Sequence, residues 1–137
     1  MKLLRSLYNL FRRRTPLDGI GYVTSSLNGG LICIYEGAAR PQSVTIPIGQ
    51  KAKLLATLRF HNPAFKTPVN GVSKANPIIS GEAISSGKAS FARLYKADGR
   101  TGVLDMTVGR RGCNLNLTST MIQKGGIVSI TEFFVEP

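Results

Sequence analysis

The chain has 137 residues, 18 basic against seven acidic side chains, and a net charge of +11 with its single histidine neutral. That length supports one hydrophobic core and not two domains of ordinary size. An apolar share of 42% excludes a chain disordered throughout, and the lack of any run of 18 apolar residues excludes a membrane-spanning helix.

The first fourteen residues differ from the rest. Lys2, Arg5, Arg12, Arg13 and Arg14 give +5 with no acid, which leaves 13 basic and seven acidic groups, or +6, for residues 15–137. The segment MKLLRSLYNLFRRR has a helical pattern. At about 100° per residue, Leu3, Leu4, Leu7, Tyr8, Leu10 and Phe11 fall within one arc of roughly 160°. Lys2, Arg5, Asn9, Arg12 and Arg13 fall on the opposite side. Pro16 ends the pattern. A helix this short is marginal alone in water, so its apolar stripe needs a surface to lie on. Docking on its own domain or on a neighbouring subunit, a mitochondrial presequence, a membrane-surface helix and phosphate contact by Arg12–Arg14 all remain open. A secretory signal does not fit, because Arg5 and Asn9 interrupt the apolar stretch. The domain division is therefore a basic amphipathic arm over 1–16 and one body over 17–137.

The body has β punctuation, with 15 glycines and seven prolines recurring at short intervals. In chain order, SSLNGG at 25–30 predicts a turn and Leu31–Tyr35 a strand. Val44–Ile48 is a short β segment that Pro47 demotes to an edge or a loop. Residues 52–59 suit a helix by composition, but Thr57 and the neighbouring segments favour a strand. Residues 62–76 are a long loop rich in Pro, Asn and Gly, and 77–84 hold a short β segment broken at Ser80-Gly81. Residues 88–95 and 102–108 form a hairpin about the turn at 96–99, where Gly99 can supply a positive φ. Residues 115–118 and 127–135 are the last strands, with a turn at Gly125-Gly126. Roughly seven or eight short strands without helices between them predict an all-β, antiparallel, jelly-roll-like β-sandwich preceded by the short amphipathic helix.

The chemical inventory is thin. Asp98 and Asp105 flank the 96–99 turn, but Asp98 before Gly99 is a turn former and Asp105 reads as a solvated strand residue. His61 lies at the head of a loop with no nucleophile set near it by any motif. Cys33 lies in an apolar strand and reads as a small hydrophobe. With Cys113 it makes two reduced thiols in preference to a disulfide. The chain has no CxxC pair for zinc and no Walker or dinucleotide fingerprint. Catalytic, metal and cofactor sites are therefore not expected. Arg110 and Arg111, in GRRG at 109–112, could meet a phosphate or an acidic partner, or stay solvated.

Five stretches carry a resemblance: LICIYEGAARPQ at 31–42, LLATLRFHNPAF at 54–65, NGVSKANPIISGEA at 70–83, ASFARLYKADGRTGVLDMTVG at 89–109 and CNLNLTSTMIQKGGIVSITEFFV at 113–135. Together they make the chain resemble a group of small tailed-bacteriophage proteins encoded among virion structural proteins. The resemblance implies a β-rich virion component without enzymatic activity, and it carries over no functional residues. The basic arm and Arg110-Arg111 depart from the group. The expectation is a multi-copy head decoration or minor capsid protein, in the virion after assembly in the host bacterial cytoplasm. It would be homo-oligomeric in the assembly, with capsid or portal and tail subunits as partners. Leu3, Leu7, Leu10 and Phe11 would anchor the arm, and Arg12, Arg13 and Arg14 would face an acidic surface. A head–tail connector or tail component, and a basic nucleic-acid-binding module, are the alternatives. Nucleic acid is secondary because the aromatics sit where they would fill a core and not where they would form a stacking platform.

Overall fold

A computed structural model describes residues 23–37, 41, 43–49, 52–70 and 72–135, the last two by backbone alone. The arm over 1–16, its helix and its docking residues lie outside the described residues. Eleven strands are present among the described residues: β1 (Leu31–Glu36), β2 (Lys53–Arg59), β3 (Ser73–Lys74), β4 (Gly81–Glu82), β5 (Gly87–Lys88), β6 (Phe91–Tyr95), β7 (Gly102–Gly109), β8 (Leu115–Leu117), β9 (Met121–Ile122), β10 (Ile127–Val128) and β11 (Ile130–Val135). Residues 23–26 form a single helical turn. The predominance of β structure is as expected.

Seven strands form one sheet in the order β2-β1-β6-β7-β8-β11-β3, with β4–β10 and β5–β9 as two-stranded ribbons. The predicted hairpin is β6–β7, paired from Phe91↔Thr107 to Tyr95↔Gly102. Its turn carries Gly99 at φ +71°, a left-handed conformation that costs glycine little. β2 is a strand, as its neighbours require: β1 pairs with it along its whole length. Opposite the step from Ile34 to Tyr35 the β2 partner skips from Ala56 to Leu54. This bulge lets Leu55 and Ala56 both enter the core, fully buried. Val44–Ile48 forms no strand; residues 43–49 make a turn and an extended strap.

The expected purely antiparallel arrangement is corrected at one place. β7 and β8 are parallel, with Val108 opposite Leu115 and Gly109 opposite Asn116, so the sheet is mixed. The cause is the loop at 110–114. Gly112 is at φ +76°, and the buried Asn116 side chain accepts from Cys113 N at 3.0 Å and donates to Cys113 O. The chain turns twice and resumes its direction one strand over, a geometry that no hydrophobic period records.

The sheet curls around one core. It includes Ile32, Ile34, Leu58, Leu94, Met106, Leu115, Leu117, Ile122 and Val128. Each such side chain contributes about 1.5–3 kcal/mol by burial. Phe60 meets Phe133 edge-on at 5.3 Å, and Phe65 tilts against both at 5.8 Å. The segment 79–84 bridges the curl back to its first strand. On one side it pairs with β10. On the other, Ile79 bridges Arg59 and Ile84 N donates to Leu55 O at 2.8 Å.

Candidate functional site

Three features of the described residues bear on function: a polar cluster under the strap, an exposed arginine loop and an exposed apolar rim.

The polar cluster sits on the face of β1, β6 and β7 turned away from the main core. Alternation along β1 and β6 sends Ile32, Ile34, Ala92 and Leu94 inward. Cys33, Tyr35, Phe91, Arg93 and Tyr95 then fall on the opposite face. Tyr35 stacks on Phe91 with centroids 5.2 Å apart and planes at 15°. Ile48 and Ala52 pack against this second apolar cluster. Asp105 is corrected from its expected place on the solvated face: it is 5% exposed and Arg93 is 4% exposed. The β6–β7 register sets these two opposite each other. Arg93 Nε donates to Asp105 Oδ1 at 2.7 Å and one terminal nitrogen donates to Oδ2 at 3.0 Å. The same nitrogen reaches Ser43 O at 3.3 Å, which ties the strap to the sheet. The bond to Asp105 holds the Arg93 guanidinium charged, its pKa raised above the ordinary value. Burial raises the Tyr35 phenol and the Cys33 thiol, so both stay protonated at neutral pH. A carboxylate saturated by a guanidinium, beside protonated neighbours, serves cohesion between strap and sheet.

The sequence candidates do not converge. Asp98 closes its own turn, accepting from Arg100 N at 2.7 Å, Thr101 N at 2.9 Å and Thr101 Oγ1 at 2.7 Å. These bonds, led by that from the Thr101 hydroxyl, hold its carboxyl at about 2. His61 is exposed, and its carbonyl accepts from Gly29 N at 3.1 Å. Cys33 and Cys113 are both free thiols. Among the described residues no group of three or more His, Cys, Asp or Glu is placed to hold a metal ion. No helix among them is long and apolar enough to cross a membrane.

Arg110 and Arg111 are exposed on the 110–114 loop that Asn116 clamps. Two guanidinium groups presented from a braced loop suit carboxylate or phosphate oxygens.

The apolar rim was missed by the sequence reading. Ile84, Met121 and Ile127 are 55%, 66% and 68% exposed, whereas Ile122 and Val128 are buried. The signal was present: adjacent apolar residues in a strand point to opposite faces, so Met121-Ile122 and Ile127-Val128 each send one side chain out.

Comparison of the chain with protein-family models, with curated proteins and with solved structures found no match.

Proposed function

We propose that the chain is a non-enzymatic structural component of a tailed-bacteriophage virion, a multi-copy head decoration or minor capsid protein docking through its basic amphipathic arm. The observation that carries this reading is the apolar rim. Met121 and Ile127 stay more than half exposed on ribbons whose other faces are buried in the core, and Ile84, just past β4, is 55% exposed. Met121 and Ile127, brought together along one groove, suit a docking surface, which a subunit that works within an assembly would cover there. The resemblance of residues 31–137 to small virion proteins supports the same reading. A head–tail connector or tail component fits these observations as a variant of location.

The finer fold reading belongs to the same proposal. Strands β2-β1-β6-β7 form one layer of a jelly-roll-like sandwich, and β8-β11-β3 with the two ribbons form the other. The core residues drawn from both halves support it.

Deleting residues 1–14 tests the function. The shortened chain should stay folded and should no longer load onto particles; loading at full occupancy would refute docking through the arm.

Arg110-Arg111 and the surplus of positive charge favour a second reading, a nucleic-acid-binding module. Affinity for generic RNA or DNA falling steeply between low and moderate salt would support it. Lack of binding at low salt would remove it.

A further inference from the structure

The sequence holds two Asn-Gly steps, Asn28-Gly29 and Asn70-Gly71. This dipeptide carries a reaction of its own. Glycine has no side chain to shield its backbone nitrogen, which can attack the carbonyl carbon of the asparagine side chain. A new C–N bond closes a five-membered succinimide ring. The bond from Cγ to Nδ2 breaks, and that nitrogen leaves as ammonia with the glycine's amide proton. Water then opens the ring at either carbonyl, giving aspartate or isoaspartate. The reaction needs a free glycine N–H, an unrestrained side-chain amide and room for the asparagine backbone to rotate.

The fold withholds all three at Asn28. Its Oδ1 accepts from Ala64 N at 2.8 Å, which fixes the side chain that would be attacked. Gly29 N, the attacking atom, donates to His61 O at 3.1 Å. Next to it, Gly30 N donates to Leu27 O at 2.8 Å and Phe60 N donates to Gly30 O at 2.9 Å. Leu27 is fully buried, and a Cβ on Gly30 would run into the carbonyl of Tyr95. Rotation here would pull the turn out of the core.

Asn70 stands at the end of a hairpin with little to hold it. Phe65 bridges Ala75, and Lys66 N donates to Lys74 O at 2.9 Å. Val69 and Val72 then exchange both backbone bonds at 3.0 Å, which leaves two residues between them. Of these, Asn70 is exposed at φ +53°, a left-handed conformation that asparagine tolerates. Its side chain makes no hydrogen bond among the described residues. Val69 beside it is 69% exposed. Opening this end breaks the one valine pair and uncovers no core residue, so it belongs to the low-cost end of local unfolding.

We propose that Asn70 is a self-modification site of the folded chain, converted to aspartate and isoaspartate, and that the fold protects Asn28 from the same reaction. Each event adds a carboxylate to an exposed turn in a chain of net charge +11. The isoaspartate form also routes the main chain through Cβ, one atom more than a two-residue turn is built for.

The full-length chain is incubated at pH 8, folded and in guanidinium chloride, and its tryptic peptides are followed by mass spectrometry. Trypsin cuts after Lys66 and Lys74, so Asn70 is read apart from Asn28. In denaturant the two should convert at similar rates, since glycine follows both. In the folded chain Asn70 should convert at least about tenfold faster than Asn28, the worth of one or two net hydrogen bonds. Asn70→Gly, which keeps the positive φ at no cost, should abolish the main acidic species that the folded wild type builds up on isoelectric focusing. Asn28 keeping pace with Asn70 in the folded chain overturns the proposal. So does an Asn70 that converts in denaturant but not when folded, or an acidic species that persists in Asn70→Gly.

Discussion

Removing the Asp105 carboxylate should be among the most damaging single changes to the body. Arg93 is held in a two-pronged bond at 2.7 and 3.0 Å, with the two side chains 5% and 4% exposed. Asp105→Ala leaves a buried guanidinium with Ser43 O, at 3.3 Å, and the Tyr95 hydroxyl in place of a carboxylate. Stranding one partner of a buried ion pair costs about 3–5 kcal/mol. For a chain of 137 residues that lowers the melting temperature by roughly 10–15 °C. The double variant Arg93→Met, Asp105→Leu removes both charges and keeps the volume. It should recover to within about 1 kcal/mol of the wild type or exceed it. Urea and thermal denaturation of the two single variants and the double close the cycle. A cost below about 1 kcal/mol for Asp105→Ala, or a double variant no better than either single one, would refute the burial of this pair under the strap.

Gly30→Ala should destabilise the body by about 1–3 kcal/mol, because the added methyl meets the backbone carbonyls of Tyr95 and Leu27; an unchanged urea midpoint would contradict this. The Asp98 carboxyl carbon should titrate by NMR with a midpoint near 2, below its ordinary 3.8. Because the folded value is depressed, the turn's contribution is present above the ordinary value and is lost as pH falls through about 2. A midpoint near 4 would mean that the three bonds from Thr101 and Arg100 are not made in solution. Alkylation at pH 8 should spare Cys33 in the folded chain, since burial raises its thiol pKa, and should reach it after unfolding in urea. Labelling of Cys33 at equal rates in both states, read by mass spectrometry, would place it outside the second apolar cluster.

What the sequence made legible follows from which forces act locally. The β6–β7 hairpin rests on alternation, the Asp98-Gly99 turn and Gly99's positive φ, all carried by neighbouring residues. Residues 53–59 could be read only by weighing composition against context, and the context decided: β1 offers β2 an edge to pair with. Asp105 was misplaced because strand alternation tells one face from the other but not which face a distant strap covers. Residues 43–49 bury the supposedly solvated face. The parallel step at β7–β8 was hidden because it depends on the Asn116 side chain returning to Cys113. The apolar rim was readable in principle, since Met121-Ile122 and Ile127-Val128 cannot both face inward. Periodicity alone did not say which member of each pair the ribbons would turn out.

Quantitative mass spectrometry of purified virions is the most direct test of the proposed function. The account predicts that the protein copurifies with intact particles in many copies, at a fixed ratio to the major capsid or tail subunit, and that removing residues 1–14 abolishes its incorporation. Absence from particles, or an unchanged copy number without the arm, would contradict it.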